Sequence, residues 1–171
     1  MTDIRGPWGL PPPPLEELKR QHGFPEVQPI QGWFSMRLWG PDGTLKTAQD
    51  VPNLITTTGK NMLAGWFTGG AAGGFAINLA IGTGSTTPVV ANTTLTTETG
   101  TRVSAGRAIT ANTAYYSGLF TANNPPGAEG IQEYGNFSLA AAGYIFAHST
   151  AAVISKATAD TLEVQYRFSF P

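Results

Sequence analysis

The side chains able to carry acid–base, nucleophilic or metal chemistry are few and widely spaced. There are two histidines, His22 and His148, and no cysteine. The missing cysteine excludes disulfides, thiolate-ligated zinc and thiol catalysis. Neither histidine has a partner at His-x-x-x-His spacing, so no metal pair is seen. His148 reads as a surface or half-buried histidine near a strand end. A Ser-His-Asp triad assembles in space rather than in sequence, but nothing resembles the Gly-x-Ser-x-Gly elbow. Glu129 and Glu133, four residues apart, are the candidate carboxylate pair of the body. In a strand they would stand ~13 Å apart on one face, beyond the ~5–10 Å that spans a glycosidic bond. Gly82-Thr83-Gly84-Ser85-Thr86-Thr87 lacks the lysine of a phosphate loop and reads as a turn whose hydroxyls bond local backbone. Asp and Glu are too sparse for a dedicated calcium site. The expectation is therefore no catalytic residue, no cofactor and no metal site.

The elements that hold these residues follow from composition. The chain has 171 residues, 41% apolar but only 12% charged, with 21 Gly and 13 Pro. That length suits one domain plus a tail. A net charge of -1 excludes a binder that works by massing Lys and Arg against phosphates, so no nucleic-acid partner is expected. No window approaches the ~18 apolar residues of a spanning helix, and no membrane partner is expected. The start, Met1-Thr2-Asp3-Ile4-Arg5-Gly6-Pro7, lacks the basic-then-apolar pattern of a signal peptide.

Charge and proline divide the chain. Residues 1–60 hold 12 of the 21 charged side chains, and residues 61–128 hold three, Glu98, Arg102 and Arg107. Seven prolines fall within the first 29 residues. Residues 1–31 read as an extended, proline-rich arm, with Pro11, Pro12, Pro13 and Pro14 in polyproline II. Leu15–His22 has helical potential, ended by Gly23. Such an arm buries too little to fold alone. Its apolar anchors Trp8, Leu10, Leu15, Leu18 and Phe24 make it a candidate assembly arm that laces onto a neighbouring subunit.

Residues 32–171 read as the body. Strands are expected at Trp33–Trp39, Ile77–Ile81, Arg102–Ala111, Ala114–Phe120, Ile131–Leu139, Tyr144–His148 and Thr161–Phe170, with Thr44–Thr47 able to return as an eighth and Asn53–Thr56 as a further extended piece. The last is the clearest. Leu162, Val164, Tyr166, Phe168 and Phe170 alternate with Glu163, Gln165, Arg167 and Ser169, which turns one face into a core. One helix is expected over Thr57–Phe67, capped by Thr57 or Thr58 and ended by Gly69–Gly74. Seven or eight strands with one short helix indicate a mainly β chain, an antiparallel β-sandwich with jelly-roll connections as one option.

Several segments in order resemble a group of tailed-bacteriophage virion proteins. Asn53-Leu54-Ile55-Thr56-Thr57-Thr58-Gly59-Lys60-Asn61-Met62-Leu63-Ala64 is similar to their N-L-I-T-x-x-G-x-x-x-L-A opening, after a hairpin at Gly32-Trp33 and Asp42-Gly43. Ile81-Gly82-Thr83-Gly84-Ser85-Thr86-Thr87-Pro88 matches an I-G-T-G-x-T-x-P loop. Thr94-Leu95-Thr96-Thr97-Glu98, with Thr93 before it, matches T-x-L-x-x-E, with Arg102 shortly after. Ile131-Gln132-Glu133-Tyr134-Gly135-Asn136-Phe137 matches an I-x-E-x-G-x-F strand. The resemblance covers about residues 32–171 and leaves the arm outside. It implies a structural, non-enzymatic virion component that contacts capsid or tail subunits and forms a homo-oligomer, trimers being usual. It carries over no catalytic residue. In the motifs, Gly59, Gly82 and Gly84 read as positions of special backbone angle or close packing. Glu98 and Arg102 read as a pair, and Glu133 as a carboxylate bonding backbone groups. Capsid decoration (cement) is favoured over a tail-fibre or head–tail adaptor role because the chain is short for a fibre and has a lacing arm. Two other readings stand beside it. Trp33, Trp39, Trp66, Tyr115, Tyr116 and Tyr144 could stack on sugars in a receptor-recognition module, against their use as core. A tail depolymerase or lysin would have to use Glu129 and Glu133.

Overall fold

The computed structural model describes residues 30–69 and 75–170. The arm anchors Trp8, Leu10, Pro11, Pro12, Pro13, Pro14, Leu15, Leu18 and Phe24 lie outside the described residues, as does His22. So do residues 70–74 of the glycine-rich loop. Residues 30–170 form one compact unit.

Ten strands build the body: β1 (Gln31–Trp39), β2 (Leu45–Pro52), β3 (Leu54–Ile55), β4 (Asn78–Gly82), β5 (Glu98–Ser104), β6 (Gly106–Thr110), β7 (Thr113–Phe120), β8 (Glu129–Phe137), β9 (Ile145–Lys156) and β10 (Thr161–Ser169). They form two antiparallel five-stranded sheets. Sheet A has the order β2-β1-β10-β7-β6 and sheet B the order β3-β9-β8-β4-β5. The mainly β fold with one short helix is as the patterning indicates.

The β10 alternation sets the core. Leu162, Val164, Tyr166 and Phe168 are buried, and each such side chain contributes about 2 kcal/mol by leaving water. Their register partners on β1 are Leu38, Met36, Phe34 and Gly32. Sheet B meets them with Leu79 and Ile81 of β4, Ile131 and Tyr134 of β8, and Phe146, Ala147 and Ile154 of β9. The Phe34 ring lies 5.0 Å from Tyr166 in its own sheet and 6.1 Å from Tyr134 in the other.

The structure departs from the sequence reading in four places. The single strand expected over Arg102–Ala111 is two, broken at buried Ala105, whose N–H donates to Ile77 O at 2.7 Å. Before the break β5 pairs with β4 in sheet B, and after it β6 pairs with β7 in sheet A. The chain changes sheets at a corner, which a linear pattern does not mark. Second, β9 continues past His148 to Lys156. Third, β2 runs from Leu45 to Pro52, past the expected Thr47. Its residues 45–52 are half-buried or exposed, so no apolar face announces the strand. Fourth, the helix α1 (Thr57–Phe67) is capped by Thr56 rather than Thr57 or Thr58: Thr56 Oγ1 accepts from Gly59 N at 2.9 Å. Thr56 is extended and fully buried, and its hydroxyl also donates to Ile145 O at 2.7 Å. One side chain thus starts α1 and ties it to β9. Gly69, with φ of 68°, follows the end of the helix.

Candidate functional site

Glu133 and His148 meet on the outer face of sheet B, beneath the strap of residues 83–97 that joins β4 to β5. Glu133 of β8 is fully buried there. Its Oε1 accepts from Thr96 N at 2.6 Å and its Oε2 from Thr97 N at 3.0 Å. His148 of β9 places Nε2 2.9 Å from Glu133 Oε1 and Nδ1 3.0 Å from Asn92 Oδ1 on the strap. Asn92 Oδ1 also accepts from Val89 N at 2.7 Å, which folds the strap on itself. His148 is only 1% exposed, so the half-buried or surface placement read from the sequence is corrected. Burial disfavours the imidazolium and pushes the His148 pKa below its ordinary value; Glu133 opposes this by charge and hydrogen bond without cancelling it.

A local irregularity explains the placement of Glu133. Ile131 and Tyr134, three residues apart, both enter the main core. A regular strand would send them to opposite faces. The pairing with β9 shifts register between Ile131 and Glu133, and beyond it Glu133 turns away from the main core. The picture of Glu129 and Glu133 as an open pair on one face is thereby corrected. Glu129 is half-buried at the start of β8, and its Oε1 lies 3.5 Å from Thr99 Oγ1.

The glycines of the motifs make room for this carboxylate. A Cβ on Gly84 would stand 2.5 Å from Glu133 Oε2, and one on Gly82 would stand 2.5 Å from Thr97 O. A Cβ on Gly59 would meet Phe146 O at 2.2 Å, so α1 approaches the β9 backbone as only glycine permits. None of the three has a positive φ, so the requirement is close approach rather than an unusual backbone angle.

A second apolar cluster, Ala80, Leu95, Phe137 and Ile145, lies on the same side of sheet B. Arg102 covers it. Its guanidinium sits 3.5 Å from the Phe137 ring centroid and holds Glu98 by two bonds, Nε–Oε1 at 2.7 Å and Nη2–Oε2 at 2.8 Å. Nη1 donates to Leu139 O at 3.1 Å and Ala142 O at 2.5 Å. The Glu98–Arg102 pair expected from the sequence is formed. The carbonyls that complete its setting, and the part played by Asn92, were missed. They come from turns that carry no pattern of their own, although the four-residue Glu98/Arg102 spacing was a usable signal.

A separate charged knot closes the β9–β10 turn. Asp160 is buried and accepts from Lys46 Nζ at 2.6 Å and Ala157 N at 3.1 Å. The Lys46 bond is the main cause holding its carboxyl below the usual range. Buried Lys156 donates to Thr121 O at 3.3 Å.

The aromatic residues proposed for sugar stacking do not share one concave surface. Tyr116 and Trp66 pack against core rings, Tyr116 on Tyr166 and Trp66 on Phe146. Trp33 and Tyr115 flank Arg167 across β1, β10 and β7 on the outer face of sheet A, with Arg167 5.4 Å from the Trp33 ring centroid. Trp39 is at the far end of β1, and exposed Tyr144 precedes β9. Among the described residues no group of three or more His, Asp or Glu is arranged to hold a metal ion.

Comparison of the chain with protein-family models, curated proteins and solved structures finds no match. The geometry therefore has to carry the functional reading.

Proposed function

We propose that this chain is a non-enzymatic structural protein of a tailed-bacteriophage virion, anchored to neighbouring capsid or tail subunits through residues 1–31. Capsid decoration is the favoured position. A tail-fibre or head–tail adaptor role in the same particle is the second. A homo-oligomer, with a trimer favoured, suits either. One observation carries the reading. The residues that form the phage-like motifs are the ones that lock the strap and α1 onto sheet B. Thr56 and Gly59 dock the helix on β9, Gly84 leaves space for the Glu133 carboxylate, and Glu133 holds Thr96 and Thr97. Arg102 seals the cluster around Phe137. These are framework tasks. The closest acid–base pair of the site, Glu133 and His148, is sealed from solvent and acts as a tie rather than meeting a substrate.

The body's weak charge also supports the reading. Residues 61–128 carry three charged side chains, as suits a surface that meets other subunits. A receptor-recognising carbohydrate module is favoured only by the Trp33–Arg167–Tyr115 row.

The test is electron microscopy of intact particles bearing a label on this chain. Label over the capsid faces is the expected result. Label at one vertex or on the tail moves the protein to the adaptor or fibre role. Particles without label refute the virion assignment. Because Gln31 already belongs to β1 and Ile30 packs against the core, the expected arm boundary at residue 31 moves back, and the deletion to make is of residues 1–29. It should leave the cooperative melt in place while abolishing assembly, and unchanged assembly would refute the anchoring role.

A further inference from the structure

We propose that the exposed edge of β6 pairs with the β6 edge of a second copy of this chain across a two-fold axis, with Ala108 opposite its own counterpart. The pairing joins two copies of the five-stranded sheet A into one continuous sheet. It is independent of the virion assignment and of the trimer favoured there.

Among the described residues β6 is the one sheet edge left unguarded. Edge strands invite pairing unless they are short, charged, kinked or covered. In sheet B, β3 has two residues. The Asn124 side chain occupies the edge of β5: it accepts from Thr101 N at 2.8 Å and donates to Thr101 O at 2.9 Å. In sheet A, β2 carries Lys46 and Asp50 and ends in Pro52. The remaining edge, Gly106-Arg107-Ala108-Ile109-Thr110, has no lysine, proline or register shift, and all five residues are exposed. Ile109 marks the uncovered side. Its register partner Ala114 packs against the core, so Ile109 faces that same side, yet it is 79% exposed. Exposed Phe75 lines the same hollow of about 350 Å³ with Ala108 and Ile109.

The hairpin sets the register. Ala111 and Asn112 form a two-residue turn closed by Thr110 and Thr113. Bonded and non-bonded pairs alternate along an antiparallel ladder, so Thr110, Ala108 and Gly106 turn their main-chain groups to β7. Arg107 and Ile109 turn their N–H and C=O groups outward. A two-fold contact uses both residues only when Arg107 stands opposite Ile109 of the other copy, which centres the pairing on Ala108. Each of the two pairs then exchanges both main-chain bonds. The aliphatic stem of Arg107 lies along the exposed Ile109, and the two guanidiniums stay apart. A register centred on Arg107 or on Ile109 makes one such pair, and the first of these sets like charges face to face. The strand is thus complementary to itself, which makes a second copy the occupant.

The chain has no cysteine, so Ala108→Cys gives it a single thiol. In the proposed register two such thiols sit in a non-bonded pair with Cα atoms about 4.5 Å apart, within disulfide reach. On oxidation the full-length variant should form a dimer on a non-reducing gel about tenfold or more faster than the exposed Leu119→Cys, because paired thiols meet at millimolar effective concentration. Sedimentation of the wild-type chain should show its mass rising from 18.0 kDa toward twice that value between micromolar and millimolar concentration. Ile109→Pro removes an outward N–H and should lower the dimer fraction while the cooperative melt is kept. Equal cross-linking at positions 108 and 119 overturns the proposal, as does a wild-type chain that stays monomeric throughout. Faster cross-linking in Gly106→Cys or Thr110→Cys than in Ala108→Cys refutes the register. A dimer that Ile109→Pro leaves unchanged belongs to another surface and refutes the β6 contact. The cross-linking comparison needs no proline and decides the matter if Ile109→Pro fails to melt cooperatively.

Discussion

Glu133→Gln is the sharpest probe of the carboxylate's hold on the strap. The carboxylate accepts three hydrogen bonds, from Thr96 N, Thr97 N and the His148 ring. A glutamine has one acceptor oxygen. If that oxygen takes the place of Oε1 it keeps Thr96 and His148, and the new NH2 group then faces the Thr97 N–H at the position where Oε2 lay 3.0 Å away. One charge-assisted bond is lost, about 1.5–3 kcal/mol, and two donors are left opposed, about 1–3 kcal/mol more. Gly84 packs where its Cβ would stand 2.5 Å from Oε2, so the amide has little space in which to turn away. The expected cost is about 3–5 kcal/mol, a fall in Tm of roughly 10–15 °C for a chain of this size. Thermal and denaturant melts measure it, with Glu129→Gln as the control. Glu129 has one long contact at 3.5 Å and is half-buried, so the control should stay within about 0.5 kcal/mol. A loss below about 1 kcal/mol in Glu133→Gln, with Thr96 and Thr97 still protected from exchange, would refute the claim that the carboxylate holds the strap.

Three further outcomes are expected. Gly59→Ala should destabilise by about 3 kcal/mol despite alanine's better helix propensity, because its Cβ would meet Phe146 O at 2.2 Å and backbone has to move; a neutral or stabilised melt would refute that packing. Arg102→Ala should cost about 2 kcal/mol and raise exchange in the 139–142 turn, since Arg102 covers Phe137 and bonds the Leu139 and Ala142 carbonyls. Asp160 has its pKa lowered in the folded chain, so its stabilisation is complete above the ordinary Asp value and is lost as pH falls through the folded value. Asp160→Asn should therefore flatten the acid limb of a Tm-against-pH profile below about pH 4, and an unchanged limb would remove Asp160 as its cause.

Local pattern was enough for the fold class, the clearest strands and the helix. The period of two in Leu162–Phe170 needs only the pleat of a strand and one apolar side, and every second residue from Leu162 to Phe168 is buried. The bounds of α1 follow from apolar spacing and the glycines after it. Glu98 and Arg102 find each other within one strand and its near neighbours. Tertiary structure decided the rest. Thr56 became the cap because it alone could serve both α1 and the β9 carbonyls, a choice that depends on a strand 89 residues away. Glu133 was turned from the main core to the outer face because a register shift against β9 broke its strand's alternation, and the strap then covered it; such shifts belong to the pairing of two strands, not to either sequence. His148 and Asn92 are 56 residues apart and meet only because the strap crosses β8 and β9. Periodicity records which side of its own element a residue faces; it holds no record of which other element arrives to cover that side.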